Sequence, residues 1–360
     1  MDYSVGPLPI EEQLNMNRKN YRKTQSSRKR TILKVIVTLA VSLLICVSAY
    51  GIYLVKKAES AVDSAYEAAG TTDEPVEPLT DNISILFIGV DDSEERSQSD
   101  DNIRSDALVL ATLNNEDKSI KLVSIPRDTY TYIPDSGKED KITHAYSFNG
   151  PSSTIESVEE LLDVPVDYYL RMNFDAFIDV IDALGGIKVE VPYDITEQDE
   201  NDSQDAIELK EGIQFLDGSE ALALARTRHY DNDIERGKRQ QMILESIMNR
   251  ALSVGSITKY GDVFEAVGDN MKTNMKFQDM KALFEYAKNG KPDVETITLD
   301  GYDDMSTGIY YWKLKEESLM EIQDVLQSHL GLKPDTSNLT DNRSGQKIAG
   351  DTAEDEKTPQ

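Results

Sequence analysis

The chain has 360 residues and is strongly acidic, with 66 Asp and Glu against 38 Lys and Arg and a formal net charge of −28. The imbalance lies downstream of residue 55, where 63 acidic residues face 30 basic ones, a net charge of −33. Because nucleic acids bind to positive surfaces, this charge excludes nucleic acid as a partner of the C-terminal part. An anionic substrate would have to be held by a local cluster of bases or by a metal ion.

The first predicted element is a membrane-spanning helix. Residues 35–55 form an uncharged run of 21 residues, and a helix rising about 1.5 Å per residue would cross the roughly 30 Å hydrocarbon core of a bilayer with it. Seven basic residues between Arg18 and Arg30 precede the run, which predicts a cytoplasmic N-terminus. A cleaved signal peptide is the weaker alternative, because the apolar run is too long and the segment before it is extended.

These features predict a type II single-pass protein of the cell membrane with its C-terminal domain outside. The predicted parts are a cytoplasmic tail over 1–31, a transmembrane helix over 32–55, a stalk and linker over 56–80, a folded extracellular domain over 81–333 and a disordered tail over 334–360. The single cysteine, Cys46, lies in the span. The external domain therefore has no disulfides and needs an apolar core, for which its length is ample.

Strands and helices alternate along the external domain. Apolar and alternating runs predict strands at 83–90, 107–114, 120–126, 168–172, 187–192 and 294–299. Helical spacing predicts helices at 154–163, 174–186, 219–228, 236–253, 259–271, 277–288 and 318–331. This pattern predicts an α/β fold with three layers, α/β/α, around a central mixed sheet.

Three short motifs lie at the ends of predicted strands. Gly89-Val90-Asp91-Asp92 ends the first strand, Arg104-Ser105-Asp106 precedes the second, and Pro126-Arg127-Asp128 ends the third. Carboxylates at such positions are well placed to bind a metal ion or a substrate. Taken singly, each motif is equally compatible with an acidic turn or a surface ion pair, and His144 is most simply a structural histidine.

A group of arginines further along the chain predicts a phosphate-binding site. Arg226 and Arg228 close one predicted helix, while Arg236 and Gln240 share a face at the start of the next. The guanidinium group makes paired hydrogen bonds to phosphate oxygens, and a helix N-terminus adds to that attraction. The alternative is a solvated basic surface paired with neighbouring acids. Because Cys and clustered His are lacking, zinc is disfavoured, and a hard cation such as Mg²⁺ fits better.

Together these motifs resemble the LytR-CpsA-Psr family. The matching segments, in order after one N-terminal span, are ILFIGVDD, RSDALVLATLN, SIPRDTY, KITHAYSFNG, FIDVIDALGGIKVEVP and GSEALALARTRHYDNDIERGKRQQ. The resemblance covers residues 81–253 and extends towards residue 333. It implies an α/β domain with an apolar tunnel for a lipid.

The resemblance also implies an activity. Such a protein moves a polyprenyl-pyrophosphate-linked glycopolymer, such as wall teichoic acid or capsule, to the C6 hydroxyl of N-acetylmuramic acid in peptidoglycan and releases polyprenyl phosphate. By motif position, Asp91 and Asp106 match the metal-associated acids that would hold Mg²⁺, and either could be the catalytic base. Asp233 lies in a matching catalytic loop. The matching pyrophosphate-binding residues are Arg104, Arg127, Arg226, Arg228, Arg236 and Gln240, with Arg127 also counted as catalytic.

Two other functions remain open at this point. The chain could bind the same lipid carrier as a regulator or sensor of the cell envelope without turning it over. It could also be a lipid pyrophosphatase in which water replaces the sugar hydroxyl. Covalent attachment of polymer to the wall distinguishes the transferase from both.

Overall fold

The computed structural model describes residues 15, 42–46, 48–53, 55–69, 80–91, 103–199, 203–227, 233–253, 270–288 and 290–333. The chain divides into two compact units between Lys57 and Ala58. Among the described residues, no helix is both long enough and apolar enough to cross a membrane. Residues 32–41, 47 and 54 of the predicted span lie outside the described part, as do the predicted tail 334–360 and all of the tail 1–31 except residue 15.

A six-stranded mixed sheet forms the centre of the second unit, as the strand pattern predicted. In spatial order its strands are Met271–Thr273 (β11), Tyr168–Met172 (β6), Ile83–Val90 (β1), Ser105–Asn114 (β2), Ser119–Ile125 (β3) and Asp293–Thr298 (β12). The pairs β6–β1 and β3–β12 are parallel, whereas β11–β6, β1–β2 and β2–β3 are antiparallel. Strands β1, β3, β6 and β12 therefore end, and β2 begins, at one edge of the sheet, which we call the upper edge.

Helices cover both faces of this sheet. The helices are Tyr146–Leu162 (α1), Phe174–Ala183 (α2), Gly218–Arg226 (α3), Asp233–Ala251 (α4), Phe277–Lys288 (α5) and Glu316–His329 (α6). Alternate residues of β2 enter opposite cores, with Leu108 and Leu110 packing against α1 and α6. Val109 and Ala111 pack on the other face, against α4 and α5. This period-two alternation produces the mixed α/β arrangement of layers.

Four two-stranded sheets surround the central one. They pair Tyr130–Ile133 (β4) with Lys138–Lys141 (β5), Ile187–Val191 (β7) with Gly212–Leu216 (β10), Ile195–Glu197 (β8) with Ile207–Leu209 (β9), and Gly301–Asp304 (β13) with Tyr311–Leu314 (β14). Short 3-10 turns at Pro134–Ser136 and Ile142–His144 flank β5. The sequence pattern predicts β7, as the strand at 187–192, whereas the other strands of these four small sheets were not predicted. The predicted helix at 259–271 lies outside the described residues except for its last two, of which Met271 begins β11.

Part of the predicted stalk packs onto the folded domain. Ala58, Val62 and Ala65 are buried at helical spacing, and Ala65 contacts Met271. Tyr66 then forms a parallel bridge with Thr273. Because these contacts add a helical segment beside β11, the compact unit begins at Ala58.

A buried histidine ties α6 to the hairpin between β2 and β3. His329 is 7% exposed, and its two ring nitrogens lie 2.8 Å from the hydroxyl oxygens of Thr112 and Ser119. Burial lowers the pKa of His329 to about 4, below the usual 6.5. The neutral ring is therefore the form that the folded protein accommodates.

This histidine predicts an acid-sensitive stability. As the pH falls below 6.5, the unfolded chain binds a proton at His329 before the folded chain does. The contribution of neutral His329 to the free energy of unfolding is therefore full above about pH 6.5 and is lost as the pH falls towards 4. The expected loss is about 3 kcal/mol. Urea unfolding of the wild type and of His329→Asn at pH 7.5 and pH 4.5 measures it. An equal pH dependence in both proteins would contradict the assignment.

Candidate functional site

A cavity of about 550 Å³ lies at the upper edge, between the sheet and helices α2, α3 and α4. We call it the site cavity. Its charged and polar wall includes Asp91, Asp106, Arg127, Arg226, Arg236 and Gln240. Its apolar wall includes Phe87, Val109, Met172, Phe177, Leu222, Ile243, Leu244 and Ile247. The cavity is therefore built for a ligand with an anionic end and an apolar end.

Strand alternation places Asp91 in this cavity. Phe87, Gly89 and Asp91 follow one another at two-residue spacing and all line it, and Ile88 between them also contributes to the lining. A Cβ atom at Gly89 would lie 3.0 Å from the Cβ of Ala107, so glycine permits the close approach of β1 and β2 here. The apolar residues lie along the strand, and the carboxylate comes at its end.

An irregularity in β2 brings Asp106 to the same face. Val90 pairs with Ser105 and Gly89 pairs with Ala107, which leaves Asp106 as an extra residue between two paired positions. Regular alternation would place Asp106 and Ala107 on opposite faces, but the bulge lets both line the cavity. The bulge therefore sets the direction of this carboxylate.

Arg127 is fixed against Asp106 by an ion pair. The Arg127 Nε lies 3.8 Å from an oxygen of Asp128, and the other Asp128 oxygen lies 2.7 Å from the Lys141 ammonium nitrogen. The backbone N–H of Thr143 donates to the Arg127 carbonyl at 3.1 Å. Because Asp106 and Asp128 already orient the Arg127 guanidinium, this side chain loses little conformational freedom when a phosphate binds.

Helix α4 carries both kinds of cavity wall. Arg236, Gln240, Ile243, Leu244 and Ile247 all line the cavity, at spacings that keep them on one helix face. The two polar residues lie in its N-terminal half and the three apolar residues follow. This order grades the cavity from charged to apolar along a single helix.

Helix α3 brings Arg226 to the cavity. The Arg226 guanidinium carbon lies 4.8 Å from the ring centroid of Phe174, a cation–π distance. Behind it, the buried Arg239 donates to the carbonyls of Leu224 and Thr227 at 3.1 and 2.7 Å. These bonds satisfy carbonyls at the C-terminal end of α3 and hold Arg226 in position.

Replacing Arg239 is expected to loosen this end of α3. Arg239→Met leaves the carbonyls of Leu224 and Thr227 without their donor, at an expected cost of about 3 kcal/mol in the free energy of unfolding. Urea denaturation measures the loss. Arg250→Met, on the same helix, is the control, since Arg250 donates to the carbonyls of Leu184 and Gly185 at the end of α2 instead of α3. An equal cost at both arginines would refute the buttressing role.

Most of the residues predicted for the site lie together, with three exceptions. Arg104 is exposed and does not line the cavity. Arg228 lies outside the described residues, and Asp233 begins α4 but its side chain is not described. His144 lies 3.1 Å from Asp140, away from the cavity wall, which agrees with a structural role.

Several residues of the cavity were not anticipated. They are Asn173, Phe174 and Phe177 from the start of α2, and Glu197, Gln198 and Gln204 from the loop around β8 and β9. Asn173 caps α2, accepting a hydrogen bond from the Ala176 N–H at 2.9 Å. An asparagine at a predicted strand–helix junction was the available signal for this wall. The acidic loop had no periodicity that pointed to a site.

The carboxylates of the cavity bear on the predicted Mg²⁺. Among the described residues, no group of three or more His, Cys, Asp or Glu could enclose a metal ion. Asp91 and Asp106 are two oxygen donors on one wall. Mg²⁺ commonly binds through one or two carboxylates, with water and substrate phosphates completing its octahedron, so this donor set is compatible with it.

The described domain is a mixed α/β fold whose cavity is graded from charged residues, three arginines among them, to aliphatic residues. The chain belongs to the LytR_cpsA_psr family, whose sequence profile matches residues 51–328. The resemblance found in the motifs is thereby confirmed.

Relatives and solved structures agree with this membership. The chain is 37% identical to the polyisoprenyl-teichoic acid–peptidoglycan teichoic acid transferase TagT of Bacillus subtilis, over 88% of this chain and 100% of the relative. A structure titled "TagT bound to LIIa-WTA" superposes with a TM-score of 0.63 at 39% identity, covering 73% of this chain and 97% of the other. A second, YwtF (TagT) with bound octaprenyl pyrophosphate lipid, gives a TM-score of 0.59 at 36% identity, covering 74% and 97%.

Proposed function

We propose that this protein transfers a polyprenyl-pyrophosphate-linked anionic glycopolymer, such as wall teichoic acid, to the C6 hydroxyl of N-acetylmuramic acid in peptidoglycan and releases polyprenyl phosphate. The observation that carries the proposal is the graded site cavity, with Arg127, Arg226 and Arg236 at one end and Ile243 and Ile247 at the other. A lipid pyrophosphate has the same order of charge and apolar chain. Two findings on a relative support the assignment: TagT is named as a teichoic acid transferase, and a structure of YwtF (TagT) contains octaprenyl pyrophosphate.

The arginines perform the electrostatic part of the reaction. The net charge of −33 downstream of residue 55 repels a diphosphate at long range. Arg127, just after β3, Arg226 of α3 and Arg236 of α4 line the same cavity, where their guanidinium groups would neutralise the phosphate oxygens through charge-assisted hydrogen bonds. Phosphoryl transfer depends chiefly on such positioning and charge neutralisation.

Asp91 and Asp106 supply the acid–base and metal chemistry in this proposal. The acceptor C6 oxygen attacks the phosphorus next to the polymer, its proton passes to a carboxylate, and the bond to the lipid phosphate oxygen breaks. Bound Mg²⁺, held by Asp91 and Asp106, would neutralise charge on the diphosphate. Arg127 forms an ion pair with Asp106, so one of the phosphate-binding arginines is already positioned beside one of the two carboxylates.

The proposed membrane location follows from the same substrate. A polyprenyl-linked substrate is delivered from the bilayer into the apolar end of the cavity, so the cavity must work near a membrane surface. The uncharged run at 35–55 would hold the domain there, outside the cytoplasm.

A reconstituted reaction tests the function. The full chain in detergent is given a lipid-linked polymer, uncrosslinked glycan strands and Mg²⁺. We expect polyprenyl monophosphate and polymer-bearing glycan to accumulate in equal amounts. Release of lipid monophosphate without attached polymer would identify a pyrophosphatase. Binding of the lipid without any release would identify a sensor.

A further inference from the structure

An exposed aromatic surface adjoins the charged end of the site cavity. Because β12 runs parallel to β3, the chain leaves it at the upper edge and folds there into the hairpin β13–β14. The backbone N–H of Trp312 donates to the Asp128 carbonyl at 2.8 Å, and Trp312 also bridges Thr129. The hairpin is therefore anchored directly after Arg127.

Four tyrosines and two lysines compose this tyrosine surface: Tyr130, Tyr132, Tyr302, Tyr311, Lys141 and Lys313. The rings of Tyr130 and Tyr311 meet edge to face with centroids 4.8 Å apart. The Lys313 nitrogen lies 5.1 Å from the Tyr130 centroid. Tyr302 is 53% exposed and Tyr132 is 43% exposed. Clustered exposed aromatic side chains commonly mark a binding surface.

A continuous chain of contacts joins this surface to the site cavity. Lys141 lies 5.9 Å from the Tyr311 ring centroid and 2.7 Å from Asp128. Asp128 in turn lies 3.8 Å from Arg127, which pairs with Asp106. The apolar part of the cavity lies over β1, β2 and β6, whereas the tyrosine surface lies beyond β3, so Arg127 stands between them.

We propose that the tyrosine surface binds the glycan strand of the acceptor peptidoglycan and presents a sugar hydroxyl to the Arg127 end of the cavity. This inference rests on the proposed function. Sugar rings have an apolar C–H face that packs on aromatic rings, and the ion pairs Lys141–Asp128 and Lys313–Asp304 hold both lysines beside the exposed rings. Sugar rings without charge are not repelled by an acidic domain. In the proposed function the donor lipid lies in the site cavity on the opposite side of Arg127, which leaves this side for the acceptor.

Steady-state kinetics of the full chain in detergent tests the inference. We expect Tyr302→Ala, combined with Tyr132→Ala, to raise KM for glycan strands about tenfold, the effect of losing an interface anchor. KM for the lipid-linked donor should stay unchanged. Tyr302→Phe retains the ring and should stay near wild type. Phe215→Ala, at an aromatic residue 56% exposed on β10, is the matched control.

The outcomes separate this inference from the function itself. Wild-type turnover with an unchanged acceptor KM in the double variant overturns the surface and leaves the transferase intact. A raised donor KM instead assigns the surface to the polymer's sugars and also overturns the inference. Absence of turnover in the wild type refutes the transferase. Hydrogen exchange of the wild type with glycan strands alone, without donor, should protect 130–133 and 301–304; no protection would refute acceptor binding even if the variant fails to fold.

Discussion

Arg236→Ala is expected to lower kcat/KM for polymer transfer by about 10²–10³-fold, the usual loss when one preorganised donor to a developing charge is removed. Arg236 is 4% exposed and lines the charged end of the site cavity on the first turn of α4. In so acidic a protein, long-range attraction would not help an anionic substrate to bind, so under the proposed function each cavity arginine is expected to carry a large share of diphosphate binding. Initial rates of polyprenyl phosphate release measure the loss.

The control for this variant lies on the same helix. Lys238→Ala removes the same unit of charge from an exposed side chain that pairs with Glu235 at 2.7 Å, and it should leave the rate within about twofold. Arg236→Lys should fall between the two, because an ammonium cannot make the paired bonds of a guanidinium. A folded Arg236→Ala protein with wild-type turnover would remove α4 from the proposed diphosphate site.

Asp106→Asn and Asp91→Asn are each expected to reduce kcat by about 10²–10⁴-fold, because in the proposed mechanism one carboxylate would accept the proton and both would bind the metal. The two variants also differ in a measurable way. If a carboxylate acts mainly as a metal ligand, a higher Mg²⁺ concentration should restore part of the rate. If it is the base, Mg²⁺ should restore nothing and the acidic limb of the pH–rate profile should disappear.

Asp106→Asn has a second expected effect, on Arg127. The substitution removes the negative partner of the Arg127 ion pair, so the guanidinium should bind diphosphate less selectively and KM for the donor should change with kcat. Asp194→Asn, at an exposed carboxylate paired with Lys210, serves as the control. Equal rates in Asp106→Asn and Asp194→Asn would exclude Asp106 from the chemistry.

The positions of individual strands and helices, and the face that each buries, could be predicted from the sequence. The run at 83–90 is β1 at the same bounds, and the amphipathic run from 236 is the body of α4. The motif segments and their order also indicated the family, which the profile match confirms. These features are local: burial on alternate residues and the face of a helix follow from spacing alone.

The convergence of those elements depended on the tertiary structure. Asp106 reaches the cavity through a bulge that is defined only by how β2 pairs with β1. The parallel pairing of β3 with β12 joins residues more than 170 positions apart and carries the hairpin β13–β14 to the upper edge. The short polar strands β5 and β13 have no apolar period in their sequences, so their pairing with neighbouring strands in the fold, and not their own sequence, makes them strands.

The sequence by itself therefore determined the charges, the order of motifs and the family of this protein, since each depends on composition and local spacing. The tertiary structure alone decided which side chains share one cavity, with Arg127, Arg226 and Arg236 near two aspartates and Arg104 outside. The physical reason is that strand register and helix docking are set by the summed burial of distant apolar residues. No single segment contains that information.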